Sequence, residues 1–268
     1  MLARALRAVR DGLVSISYPE QCDICGSAVE SWDDGSVCAG CWLNPAITRI
    51  FSGALCPKCG ASAMMPFGGA ASALPSGAYG CNGCAGLPLA GLRSTGVYSG
   101  ALKSSILFLK SRPHICTRLR QLVAETFSNN RAALECDVVM PAPLHRSRQR
   151  ERGFNQAAII ASVLGSRFAL PVDGRSLVRE RATERHRAGL DAMDRVRSVE
   201  RAFRVARPGQ IKGVSILLVD DVYTTGSTIS AAARTLLDAG AREVKALTIA
   251  RVLVRGNEQV SIRGAAGS

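Results

Sequence analysis

The chain holds 268 residues, with 34 Lys and Arg against 21 Asp and Glu and a formal charge of +13. At 47% hydrophobic residues it has ample material for a core, which excludes a disordered or fibrous chain. The length exceeds the about 100–200 residues of one domain, leaving one large or two unequal domains, and no apolar run nears the about 20 residues that span a bilayer.

The first stretch sets Arg4, Arg7 and Arg10 among Leu2, Leu6, Val9 and Leu13. That spacing predicts an amphipathic helix packed on the first domain and argues against a secretory signal, whose apolar block is compact.

Eight of the ten cysteines then form four C-x-x-C pairs: Cys22/Cys25, Cys38/Cys41, Cys56/Cys59 and Cys81/Cys84. A tight turn between two thiolates so spaced lets both reach one metal. Two pairs complete a tetrahedral four-thiolate zinc site, closed and therefore structural. Gly26 and Gly60 directly follow their pairs, where the chain must turn tightly. All eight are expected to hold two structural zinc ions, and sequential pairing or a crossed one (first with third, second with fourth) both fit. Without a secretory signal a reducing, cytoplasmic setting is expected, which favours zinc over disulfides. Cys116 and Cys136 stand apart in apolar surroundings and read as small buried hydrophobes.

Residues 1–90 carry five Lys and Arg against six Asp and Glu, while the rest carries 29 against 15, a formal +14. Each four-thiolate zinc adds a further charge of about −2. A module this acidic suits a structural or protein-docking unit better than a grip on a phosphate backbone. The Gly/Ala/Pro-rich residues 61–80 read as a loop within the second zinc site. The expected domains are a double zinc ribbon with an N-terminal helix over 1–90, an α/β domain over 91–255, and a flexible tail over 256–268.

From Arg93 the pattern alternates. A short strand is predicted over 95–98, helices over 100–110 and 115–127, and a strand over 137–140 broken by Pro141 and Pro143. A helix follows over 153–168. Residues 214–219 form a continuous apolar run, the mark of a strand buried on both faces. A helix over 229–239 with Gly240 as its cap and a strand over 244–254 complete the set. Alternating strands and helices imply a parallel sheet with helices on both faces, whose ligands bind beyond the carboxyl ends of the strands.

Two segments sit at such ends. The first is Asp220-Asp221-Val222-Tyr223-Thr224-Thr225-Gly226-Ser227-Thr228. Adjacent carboxylates can accept hydrogen bonds from a ribose diol and oppose positive charge developing on a sugar ring. The hydroxyls, the glycine and the free N–H groups of a starting helix form a phosphate cradle. The pair describes a site for a ribose 5-phosphate. The second segment runs from Pro141 through His145, Arg146, Arg148, Arg150 and Arg152 to Gly153-Phe154-Asn155-Gln156 and reads as an Arg-loaded loop suited to pyrophosphate. His145 could donate to an oxygen there. Lys103 and Lys110 fit either a substrate contact or exposed helix positions, and His114 and His186 show no partner pattern.

The run Val214-Ser-Ile-Leu-Leu-Val-Asp220-Asp221-Val-Tyr-Thr224-Thr225-Gly226-Ser227-Thr228 resembles the phosphoribosyl pyrophosphate (PRPP) signature of type I phosphoribosyltransferases. P-x-P-L-H…R-x-R-G-F-N-Q, together with the cysteine module, resembles the ComF family of competence-associated, phosphoribosyltransferase-like proteins over nearly the whole chain. The resemblance implies a type I phosphoribosyltransferase-like domain behind a zinc module, with PRPP and magnesium at Asp220, Asp221 and Thr224 to Thr228. It places the leaving pyrophosphate near Arg146, Arg150 and Arg152. The segment from Arg181 to Val205 departs from the family pattern, with Arg187, Ser198 and Arg201 where Gln, Asn and Gly usually stand, although Gly189-Leu190 and Ala202-Phe203 are kept. Those departures leave the acceptor open. The competing expectation is a binding protein without transfer chemistry, a DNA-uptake factor holding single-stranded DNA or partner proteins through its basic domain.

Overall fold

The computed structural model describes residues 21–53, 55–61, 72–73, 79–81, 84, 86–181 and 202–253. The N-terminal helix expected around Leu2 to Leu13, the positions Arg187, Gly189, Leu190, Ser198 and Arg201, and the tail 256–268 lie outside the described residues. In chain order, a 3-10 turn at Trp32–Asp34 precedes α1 (Ala39–Leu43), and β1 (Ser72–Ala73) pairs antiparallel with β2 (Tyr79–Gly80). There follow β3 (Gly91–Val97), α2 (Gly100–Ser111), α3 (Thr117–Asn129), α4 (Arg131–Leu134) and β4 (Val138–Pro141). Then come α5 (Arg146–Arg152), α6 (Gln156–Phe168), β5 (Leu177–Arg179), β6 (Phe203–Val205), β7 (Ser215–Tyr223), α7 (Ser227–Asp238) and β8 (Glu243–Arg251).

The main sheet has the order β3-β8-β7-β4 and every pair in it is parallel. Its central strand β7 is apolar on both faces because a pleat sends alternate side chains to opposite sides. Leu217 and Val219 meet Leu102, Leu119 and Ile160 of α2, α3 and α6 on one face. Ile216 and Leu218 meet Ile229, Ala232 and Leu236 of α7, with Phe203 of β6, on the other. The expected parallel sheet with helices on both faces is therefore present.

The cysteine-rich part closes one edge of this sheet. Phe51 N–H donates to Thr95 O at 2.9 Å, Val97 N–H to Arg49 O at 2.8 Å and Leu92 N–H to Lys58 O at 2.8 Å. These bonds satisfy the outer side of β3, which would otherwise be an open edge. The approach is close enough that a Cβ on Gly96 would collide with the Arg49 carbonyl oxygen. Cys22, Cys38, Cys41 and Trp42 also share one core with Leu102 and Ile106.

Several elements differ from expectation. Residues 146–152 are a helix rather than a loop, because the His145 side chain accepts the Ser147 N–H at its start and Gly153, at φ 78, ends it. β7 runs on through Asp220 and Asp221 to Tyr223, since β8 extends beside it as far as Arg251. β3 begins at Gly91, four residues before the predicted strand, and α3 begins at Thr117 because Cys116 is extended. β8 ends at Arg251, and α7 begins at Ser227, two residues before the predicted helix. The antiparallel pair β5–β6 has no counterpart in the sequence reading; no turn dipeptide joins strands so far apart in the chain.

Candidate functional site

The eight paired cysteines gather as two groups, Cys22/Cys25/Cys38/Cys41 and Cys56/Cys59/Cys81/Cys84, with the four sulfurs of each within 4.8 Å of one another. Of the two pairings left open, the structure adopts the sequential one. All are free thiols. Neighbouring Sγ–Sγ distances of 3.5 to 3.9 Å match the edge of about 3.8 Å in a tetrahedron of metal–sulfur bonds near 2.3 Å. Both knuckles are built alike: Gly26 N–H donates to Cys22 O and Gly60 N–H to Cys56 O, each at 2.9 Å, with the glycines at φ 75 and φ 63. Hydrogen bonding from Ser27 holds Cys25 down at about 6. Burial pushes Cys56 up, but backbone donors at Cys59, Lys58 and Cys81 outweigh it and hold the thiol near 7. Burial pushes the Cys41 and Cys84 thiols of the same clusters up, the latter to about 12, so each cluster pairs an easily ionised thiol with a reluctant one. Burial raises the thiols of Cys116 and Cys136, the latter to about 11, and neither belongs to a cluster.

At the carboxyl end of the sheet, Asp221 is 7% exposed and held from two elements. Lys110 Nζ, in the last turn of α2, lies 2.9 Å from its Oδ2, and Gln156 Nε2, opening α6, donates to the same oxygen at 3.2 Å. Arg152 in turn donates to Gln156 Oε1 at 2.7 Å. Burial first, and then the neighbouring Asp221 charge, push Asp220 up to about 8, against the weaker pull of the Asp221 N–H and Lys110. A carboxylate beside an ionised neighbour in a poorly solvated site keeps its proton.

The turn Thr224-Thr225-Gly226 leads into α7. Gly226 is the N-cap at φ 77 and supplies no side-chain cap, so the first-turn N–H groups lack side-chain partners from that residue. Thr224, Thr225 and Ser227 are exposed, and Thr228 is half-buried. Thr225 Oγ1 lies 3.1 Å from Ser227 Oγ. Ser227 N–H donates to Thr225 Oγ1 at 3.4 Å, and a helix start with hydroxyls around it is an anion cradle.

The Arg-bearing segment is split by the structure. Arg152 reaches the carboxylate pair through Gln156, whereas Arg146 and Arg150 are exposed. Arg146 lines a cavity of about 490 Å³ with Pro141, Leu144 and Leu177. The His145 Nδ1 lies 2.7 Å from Ser147 Oγ, so that nitrogen serves the helix cap. Sequence reasoning left Lys110 undecided and gave Gln156, Tyr223, Arg179 and Arg251 no role. Arg179, half-buried on β5, feels the Asp220 charge, and its guanidinium lies 5.4 Å from the Phe203 ring centre. A lone lysine at the end of an amphipathic helix or an arginine inside an apolar strand was the only local signal.

The pH dependence of folding follows from Asp220. Its folded-state value lies above that of an unfolded aspartate, so its contribution is full below about pH 4 and fades as pH rises toward 8. Asp220→Asn removes that loss. Thermal unfolding at pH 5.5 and 8 should show the wild type losing about 1 kcal/mol or more relative to the variant, which is the more stable at pH 8. Equal pH slopes for the two proteins would contradict the raised value.

The family model for a phosphoribosyl transferase domain matches residues 150–261. The DNA utilization protein YhgH of Salmonella typhimurium is 30% identical over 247 residues, covering 89% of this chain and 100% of that relative. Competence protein F of Haemophilus influenzae is 33% identical over 116 residues, 43% of this chain and 50% of its own. Competence protein ComFC of Bacillus subtilis is 32% identical over 118 residues, 42% of this chain and 44% of its own. A solved glutamine PRPP amidotransferase from B. subtilis is similar over 48% of this chain and 25% of that one, at 21% identity and a TM-score of 0.33. Among the described residues no helix is long and apolar enough to cross a membrane.

Proposed function

The chain belongs to the ComF family, and from that premise we propose that it binds PRPP as its magnesium complex and transfers the ribosyl phosphate to an acceptor. The observation that carries the reading is one strand, β7, that bears two adjacent carboxylates near its carboxyl end and turns through Thr224-Thr225-Gly226 into the start of α7. Asp220 and Asp221 would take the ribose diol, and Thr224 to Thr228 the 5-phosphate, through hydroxyls and the first-turn amides of α7. His145, Arg146, Arg150 and Arg152 lie toward the pyrophosphate, whose magnesium arrives with it as part of the substrate. The bond from C1 to the pyrophosphate oxygen breaks with its electron pair leaving on oxygen, and the acceptor's lone pair forms the new bond at C1. With a proton held on Asp220, the negative charge of the aspartate pair rests on Asp221 and opposes the charge that develops on the ring, so catalysis rests on placement and electrostatics.

The eight paired cysteines hold two zinc ions in this reading, supported by the sulfur spacing of the two four-cysteine clusters. Zinc there has no open position and only fixes the knuckles. The chain then works in a reducing, cytoplasmic setting as a zinc-ribbon part over 1–90 and a transferase-like part over 91–255, with a tail over 256–268.

Calorimetric titration of magnesium PRPP should give saturable binding that Asp220→Ala/Asp221→Ala loses by about a hundredfold or more. A folded wild type that takes up no PRPP would refute the reading. A second reading, favoured by the +14 charge after residue 90 and by the names of the relatives, is a competence factor that holds single-stranded DNA or a DNA-uptake protein without transfer. DNA held by its backbone would be released steeply by added salt, whereas PRPP bound by directed hydrogen bonds would lose far less.

A further inference from the structure

We propose that Arg251 and Tyr223 are positioning residues that tie the second cysteine cluster to the phosphate-binding turn, so that metal in one and ligand in the other hold each other in place. The proposal rests on the ribose-phosphate reading of that turn.

Four residues form a continuous column. Arg251 ends β8 and is 7% exposed, and its guanidinium donates to Cys59 O at 2.6 Å. The same guanidinium carbon lies 4.6 Å from the centre of the Tyr223 ring, the residue paired with it in register at the end of β7. Tyr223 in turn lies against Gly226: a Cβ placed there would come within 2.6 Å of Tyr223 Cζ. The Val252 N–H donates to Tyr223 O at 2.9 Å and pins the strand ends together.

The column is charged at the cluster end. Arg93, on β3, donates to Pro57 O at 2.9 Å and is buried beside the same knuckle. Two buried guanidiniums therefore face Cys56 and Cys59. That is the complement a four-thiolate dication site needs, since it carries a net charge of about −2. With the cluster filled, Arg251 has an anionic neighbour and a fixed carbonyl, and its other face clamps the Tyr223 ring. With the knuckle opened, both holds on Arg251 are released and the ring beneath Gly226 loses its clamp. Any such coupling is reciprocal, so a ligand that fixes the turn must also retain the metal.

The experiment follows zinc release to a chromogenic chelator from the full chain, with and without saturating ribose 5-phosphate, in the wild type, Arg251→Met and Tyr223→Leu. In the wild type the ligand should slow the loss of one of two zinc ions by about fivefold or more and leave the other unchanged. Both variants should start with two zinc ions, bind ribose 5-phosphate about tenfold more weakly and show no protection of either ion. Arg251→Lys, which keeps the charge but not the planar fork, should restore part of it. The coupling is overturned if the wild type binds ribose 5-phosphate yet loses both ions at unchanged rates, or if a folded variant keeps the protection. A wild type that does not bind ribose 5-phosphate overturns the underlying reading of the turn, and the coupling with it.

Discussion

Exhaustive chelation at neutral pH is expected to remove two zinc ions per chain and to abolish the cooperative thermal transition of the whole protein. In a bead-like zinc module only a local signal would be lost. Here Cys22, Cys38 and Cys41 lie in one core with Trp42, Leu102 and Ile106, and residues 49–51 and 58 supply the hydrogen bonds along β3. Losing the knuckles therefore strips an edge of the sheet and opens a core that α2 and α3 need. The binding free energy of a structural four-ligand zinc is about 10–16 kcal/mol, as large as the about 5–15 kcal/mol that holds a typical domain folded. Cys41→Ser, at a buried position of the first cluster, should act in the same direction, with one zinc lost and a large fall in Tm. Metal analysis alongside scanning calorimetry decides it. A chelated protein with an unchanged Tm would mean that the sheet stands without the cysteine part.

The second large effect is expected at Gly226. Gly226→Ala should leave the fold intact but weaken ribose 5-phosphate binding by about a hundredfold, equivalent to about 2.7 kcal/mol. The residue sits at φ 77, where an L side chain costs about 1–2 kcal/mol, and its Cβ would strike the Tyr223 ring. That ring cannot retreat easily, because the Arg251 guanidinium covers it. The strain is relieved by displacing the turn, which moves the first-turn amides of α7 away from the anion they serve. Gly209→Ala is the control: its Cβ meets nothing within 4 Å, and neither Tm nor affinity should change. Unaltered affinity in Gly226→Ala would remove this turn from the phosphate site.

What neighbouring residues encode was readable from the chain alone. The apolar run of β7 specified a doubly buried strand, the two-residue spacing of the cysteines specified four-thiol clusters, and Asp220 to Thr228 showed strand, carboxylates and helix start in a single stretch. Such features are local because one turn or one pleat decides them. The helix over Arg146–Arg152 reads as a loop in the sequence although its caps, His145 and Gly153, are in view, since a dense run of arginine masks a helical period.

The tertiary structure decided everything that depends on distant residues meeting. It selected sequential over crossed pairing of the cysteines and seated the acidic knuckles against the sheet edge. It turned Lys110 and Gln156 onto Asp221, and joined Cys59 to Arg251 across 192 residues. The physical reason is the same in each case. A buried charge or an unpaired strand edge costs too much to leave alone, and the partner that satisfies it is chosen by packing in three dimensions, not by spacing in the chain.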